Sequence, residues 1–131
     1  DGLGGGICQV TSTLYNAVVL ANLEIVERSN HQFVPSYVKA SRDATVVYGS
    51  IDFKFKNNRN YPIKILCSVN NGVVNFAIYG LKTADDYEVE ISSRITSQTS
   101  SYTNSEAYKI LKKNGQIVSQ TLLSRDTYKR H

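Results

Sequence analysis

Cys8 stands behind Gly4-Gly5-Gly6-Ile7 and leads into Gln9-Val10-Thr11-Ser12-Thr13-Leu14-Tyr15-Asn16. Glycines leave room for a substrate chain to approach the backbone closely. The first turn of a helix presents unpaired N–H groups and a partial positive charge. A thiol held in that field loses its proton more readily than a free one. The same N–H groups would hold the oxyanion formed when a thiolate attacks a carbonyl. The spacing points to a nucleophilic cysteine at a helix start, with Gly5, Gly6 and Gln9 as substrate-binding positions. The plain alternative is a cysteine packed as a small apolar side chain, as most unpaired cysteines are.

A thiol nucleophile needs a base, and the base an orienting group. The chain has two histidines, His31 and His131. His131 is the last residue and is expected to be mobile. His31 follows a short strand-like run and sits on a segment that must return past the helix if a sheet packs there. Its alternative is a surface loop position. Arg42-Asp43 comes next in line. Asp43 would orient His31, and Asp52 competes for that role from the polar face of its own strand. Arg42 would hold a substrate carboxylate in a forked contact; otherwise Arg42 and Asp43 form a surface pair of little energetic consequence.

The elements that must position these groups follow from periodicity. Val10, Leu14, Val18 and Ala21 recur at helical spacing, which predicts a helix from Gly6 or Ile7 to Ala21 with Asn22 as its cap. Leu23 to Arg28 reads as a short strand, Ser29 to Ser41 as irregular, and Ala44 to Tyr48 as a second strand. Ile51, Phe53 and Phe55 alternate with Asp52, Lys54 and Lys56. Tyr61 to Val69 and Val73 to Tyr79 flank Asn70-Asn71-Gly72, a hairpin turn. Cys67 shares a strand face with Ile63, Ile65 and Val69 and is expected in the core. The fold class is α+β: one N-terminal helix packed on an antiparallel meander of four or five strands. A boundary at Thr83-Ala84-Asp85-Asp86 divides residues 1–82 from a small all-β extension, 83–131. Its serine- and threonine-rich stretch, Ser92 to Ser105, reads as an extended surface segment or edge strand. Lys113-Asn114-Gly115 is a second hairpin signal.

Composition restricts the partners. The chain has 131 residues, 41% of them hydrophobic and 20% charged, with a net charge of +4. That describes an ordinary globular chain. No apolar run is long enough to span a bilayer, so membrane attachment would need a segment outside this chain. Residues 87–131 carry seven Lys and Arg against four Asp and Glu, while residues 1–86 carry eight against seven. This weak basic bias suits an anionic polymer. No basic run, RNA-binding signature or zinc spacing accompanies it, so nucleic acid is not an expected partner. Two cysteines do not make a disulfide scaffold.

The block Gly4 to Ala17, with Arg42-Asp43-Ala44-Thr45-Val46, Tyr48 to Asn57, Tyr61-Pro62-Ile63 and Tyr79-Gly80, resembles the VanW domain over residues 3–82. Thr11-Ser12 stands where Ser-Thr is usual. The family's domain begins upstream of the glycine motif, which implies that its N-terminal part is absent here. VanW domains belong to exported or membrane-anchored proteins, mostly of Gram-positive bacteria, and some lie near glycopeptide-resistance genes. Members have been implicated as peptidoglycan L,D-transpeptidases.

The resemblance implies that Cys8 is the nucleophile of an extracellular, cell-envelope enzyme acting on peptidoglycan stem peptides. Cys8 would attack the carbonyl of the third residue, meso-diaminopimelate, of a tetrapeptide stem and expel D-alanine. The thioester would then pass to an amine of a second stem as a 3–3 cross-link. His31 would carry the protons, helix N–H groups would stabilise the oxyanion, and Arg42 would hold the D-alanine carboxylate. No metal or cofactor is required. The rivals are a cysteine peptidase or amidase on the same stems, and a non-catalytic wall-binding or scaffold module with a structural Cys8.

Overall fold

The computed structural model describes residues 2–131, with side-chain surroundings from Gly6 onward. Helix α1 spans Gly2–Leu20 and is followed by seven strands. These are β1 (Glu24–Glu27), β2 (Lys54–Lys56), β3 (Lys64–Asn70), β4 (Val73–Tyr79), β5 (Glu88–Gln98), β6 (Tyr102–Lys113) and β7 (Gln116–Lys129). The architecture is α+β, as expected. The strands do not form one meander: β1 pairs with β2, β3 with β4, and β5-β6-β7 make a third antiparallel sheet. Pro62, which has no N–H to give a ladder, lies between β2 and β3 and helps to separate their sheets.

The helix ends as its sequence requires. Asn22 takes φ 57°, its N–H donates to the Val19 carbonyl at 2.9 Å, and the Leu23 N–H donates to Val18 at 3.2 Å. This is a Schellman stop with asparagine in the left-handed position and Leu23 buried beyond it. The helix start differs from expectation. The helix already runs from Gly2, so Cys8 lies in its second turn, where its N–H belongs to the helical ladder. The buried face also differs. Ser12, Tyr15, Val18 and Val19 face the interior, while Ile7 and Val10 are exposed. A polar stripe on the helix does work that the apolar periodicity did not reveal.

The core gathers Tyr15, Val19 and Ala44, with Ile25, Phe53, Ile91 and Leu123 packed against it. Tyr15 meets Phe53 edge to face at 5.8 Å. The Asn-Gly turns form as read: Asn71 and Gly72 take φ 53° and 78°, Asn114 and Gly115 54° and 79°. Both match the type I′ hairpin. The β3-β4 ribbon is open along β3, and Cys67 is exposed rather than in the core. Alternation placed it on an apolar face, but no layer covers that face within the described residues. The Ser92 to Ser105 stretch also corrects its reading. β5 is an edge strand, but Thr103 and Ser105 belong to the central strand β6 and are buried.

Ala44 to Tyr48 is not a strand; only Val47 makes an isolated bridge, to Ile51. Side chains of the helix serve Ala44 and the Val46 carbonyl, while the Thr45 N–H donates to the Ser29 carbonyl at 2.9 Å. The ring of His131 stacks on Phe33 at 4.3 Å and 9°. Among the described residues no helix is long and apolar enough to cross a membrane.

Candidate active site

Cys8, Ser12 and Asn16 recur every fourth residue and so share one helix face. Segment 42–46 lies against that face. Asn16 Nδ2 donates to the Arg42 carbonyl at 2.7 Å, and Arg42 Nε donates back to Asn16 Oδ1 at 2.7 Å. Ser12 Oγ accepts the Ala44 N–H at 2.9 Å and donates to the Ala44 carbonyl at 3.1 Å. Cys8 Sγ lies 3.5 Å from Thr45 Oγ1 and donates to the Val46 carbonyl at 3.7 Å. A helix thus supplies side-chain partners that a neighbouring strand would ordinarily supply from its backbone.

This zipper places Asp43 between its rungs, pointing away from the helix stripe and into the protein. Its side chain is 0% exposed. Oδ2 accepts the backbone N–H of His31 at 2.7 Å and faces His31 Nδ1 at 2.7 Å. A carboxylate there assigns the ring proton to Nδ1 and leaves Nε2 as the basic nitrogen. Nε2 accepts the Tyr37 hydroxyl at 3.4 Å. Asp52, the rival orienting group, is exposed and accepts only the neighbouring Phe53 N–H.

His31 lies close enough to Cys8 to act on its thiol. Partial burial pushes the Cys8 thiol up, but hydrogen bonds from Thr45, from the backbone at Val46 and from His31, together with the His31 charge, outweigh it. The thiol is held below its ordinary value. This lowering comes from loop and histidine partners, not from the helix end that the glycine motif suggested. Burial raises the Tyr37 hydroxyl, a hydrogen bond from Ser12 works against this, and the charges of Cys8 and Asp43 add to the rise. Tyr37 is therefore a neutral donor beside His31 Nε2.

The structure joins His31 to Asp43 directly and puts His31 within electrostatic reach of Cys8. Gln9 neighbours Cys8 on the helix and is half-buried. Gly6 is exposed, with open space around it. The surroundings of Gly5 lie outside the described residues. Arg42 is not beside the sulfur: it engages Asn16, two helical turns or about 12 Å along the axis from Cys8. Burial lowers the pKa of its guanidinium, with the Tyr15 charge working the other way. Among the described residues no group of three or more His, Cys, Asp or Glu side chains is placed to hold a metal ion.

Sequence reasoning missed Tyr37, Thr45, Arg28, Asp126 and Tyr128. For Thr45 a signal existed: the Cys8/Ser12/Asn16 stripe announces a polar partner for the helix. Arg28, Asp126 and Tyr128 gave none, because their meeting joins elements about a hundred residues apart. Arg28 Nη1 donates to both oxygens of Asp126 at 2.8 and 2.9 Å, Nε donates to the Asp43 carbonyl at 2.8 Å, and Nη2 to Asp43 Oδ1 at 3.2 Å. Its guanidinium also lies 5.2 Å from the centre of the Tyr15 ring.

These features define an α+β domain that aligns a thiol of lowered pKa, an imidazole and a buried carboxylate. The chain belongs to the VanW family: the model described as VanW like protein matches residues 1–79. A curated relative, the uncharacterized protein YoaR of Bacillus subtilis (strain 168), is 48% identical over 79 residues. That match covers 60% of this chain and 26% of the relative, so the chain spans about a quarter of that protein's length. No solved structure matches the chain.

Proposed function

We propose that this chain carries the nucleophile of a cell-envelope peptidoglycan L,D-transpeptidase that works through a thioester on Cys8. The observation that supports the reading is the line from the Cys8 thiol through His31 to the fully buried Asp43. His31 Nε2 takes the thiol proton as Sγ attacks the third-residue carbonyl of a donor stem. The Asp43 carboxylate offsets the charge that the ring then carries. The tetrahedral oxyanion collapses, the bond to the D-alanine nitrogen breaks, and His31 returns the proton to that leaving amine. An acceptor amine next attacks the thioester carbon and gives its proton to His31, and Cys8 leaves as thiolate. The 3–3 cross-link results.

Because the helix N–H at Cys8 is already used within the helix, the oxyanion needs another donor. The Tyr37 hydroxyl, neutral and adjacent to His31 Nε2, fills that role. Arg42 drops out of this reading, since it faces Asn16 rather than the sulfur. The site lies outside the cell, and attachment to the membrane runs through residues beyond this chain.

Incubation of the chain with a stem tetrapeptide and an acceptor amine, read by intact-mass spectrometry, tests this reading. The expected results are a Cys8 adduct equal to the tetrapeptide less D-alanine and a cross-linked product dependent on amine. Hydrolysis without cross-linking supports the peptidase reading instead. A folded protein with no adduct and unchanged peptides overturns the enzyme and leaves a wall-binding module.

A further inference from the structure

The carboxylate that orients His31 is itself held from the far side by the C-terminal sheet, outside the region that the family model matches. Asp43 Oδ1 accepts the Tyr128 hydroxyl at 2.5 Å and Arg28 Nη2 at 3.2 Å. Tyr128 is 0% exposed and accepts the Ser41 N–H at 2.9 Å, so its hydroxyl hydrogen is free to point only at Asp43. Burial, and next the Asp43 hydrogen bond, push the Tyr128 phenol well above the ordinary tyrosine range. It is a donor at every working pH. Asp126 sits two residues before Tyr128 on the same face of β7 and fixes Arg28 through both carboxylate oxygens.

A third link comes from β6. Ser105 Oγ meets Ser41 Oγ at 2.6 Å. Ser41 is buried and takes φ 65°, the left-handed region that a non-glycine residue occupies only when its surroundings impose it. The imposed turn immediately precedes Arg42-Asp43. The titratable and charged groups facing this centre are Cys8 and Tyr15 from α1, Arg28 and Tyr37 from the first region, and Asp126 and Tyr128 from β7.

We propose that Tyr128 is a positioning residue, through which the β5-β6-β7 sheet locks the Asp43 carboxylate and so the His31 ring that serves Cys8. Without the Tyr128 hydroxyl, Oδ1 keeps only the longer Arg28 contact, and the carboxylate is held chiefly through Oδ2 by the His31 N–H and Nδ1. His31 Nδ1 then faces a carboxylate that is anchored less firmly from its far side. The proposal rests on the reading of Cys8, His31 and Asp43 as one working line.

The test is the pH profile of Cys8 alkylation by iodoacetamide in the whole chain, in a Cys67→Ser background that removes the exposed second thiol. Tyr128→Phe is expected to raise the apparent thiol midpoint by about one unit, about a tenfold loss of thiolate at neutral pH, with thermal unfolding still cooperative. His31→Gln should shift it at least as far. A Tyr128→Phe profile that superimposes on the parent's in a folded protein overturns the proposal. Should Tyr128→Phe fail to fold, Ser105→Ala decides: a smaller upward shift supports the proposal and no shift overturns it. An unmoved profile in His31→Gln would instead sink the Cys8–His31 line itself, so the two failures are distinguishable.

Discussion

Residues 2–79 and the C-terminal sheet divide the work of the molecule unequally. In the first, Cys8 rides on the helix, but the other groups of the candidate site ride on backbone with no regular ladder: His31 on the stretch after β1, Asp43 and Thr45 on the extended segment beside the helix. In the second, three long strands run in near-continuous register and bury Thr103, Ser105, Ala107 and Tyr128 on one side. Irregular backbone frees a side chain to point where chemistry needs it, but it cannot hold itself still. The sheet lends that rigidity through Tyr128, Asp126 and Ser105. The two hairpins teach the same lesson on a smaller scale. Both close with type I′ Asn-Gly turns, yet β3 lies open to solvent along its length while β6 runs between two strands and is buried in its first half. Turn chemistry makes a hairpin; a partner layer decides what it does.

The comparison breaks most sharply at the sulfur. Cys8→Ala is expected to reduce thioester formation and cross-linking by at least about 10³-fold while leaving thermal stability nearly unchanged, since Cys8 is only partly buried. A comparable loss from Cys67→Ala, measured in the same peptide assay, would overturn the assignment of chemistry to the helix. Next comes the joint between the regions. Arg28→Met leaves Asp43 and Asp126 buried without their cation and should cost about 3–5 kcal/mol in urea unfolding; a cost below 1 kcal/mol would mean that the regions are not coupled there.

Within the first region, Ser12→Ala removes the group that serves both the N–H and the carbonyl of Ala44. The expected loss is about 1–3 kcal/mol, with amide exchange accelerated at Ala44 and not in β6. The pH dependence sharpens the picture further. The Cys8 thiol is lowered in the folded state relative to the unfolded one. Its contribution to stability is therefore fully present above the unfolded thiol's pKa and is lost as pH falls through the folded one. The stability of the parent minus that of Cys8→Ser should rise with pH across that window and be flat below it. Smallest is Gly72→Ala, in a turn with φ 78° and open space around it. It should cost about 1 kcal/mol and leave Cys8 alkylation untouched, because the β3-β4 ribbon takes no part in the site.

Much of this was legible locally. The helix stop at Asn22 and both Asn-Gly turns rest on interactions within a few residues, so the chain declares them wherever it is read. Cys8, His31 and Asp43 were legible as residue types with a shared chemistry. The segment beside the helix was not: Ala44 to Tyr48 has the composition of a strand, yet it runs as irregular backbone zipped to the polar stripe of the helix. Cys67 looked like a core residue because alternation reports a face and not what covers it.

The sequence by itself determined the local elements, the family and the three side chains of the proposed site. Tertiary structure alone decided their order in space, because hydrogen bonds between residues 12 to 87 positions apart depend on which surfaces meet after the chain has closed. It moved Cys8 from the helix end into the second turn and set Arg42 aside with Asn16. It also brought Tyr128, which no periodicity marks, onto the carboxylate. A buried carboxylate must find donors wherever the fold supplies them, and here it finds one in the last strand of the chain.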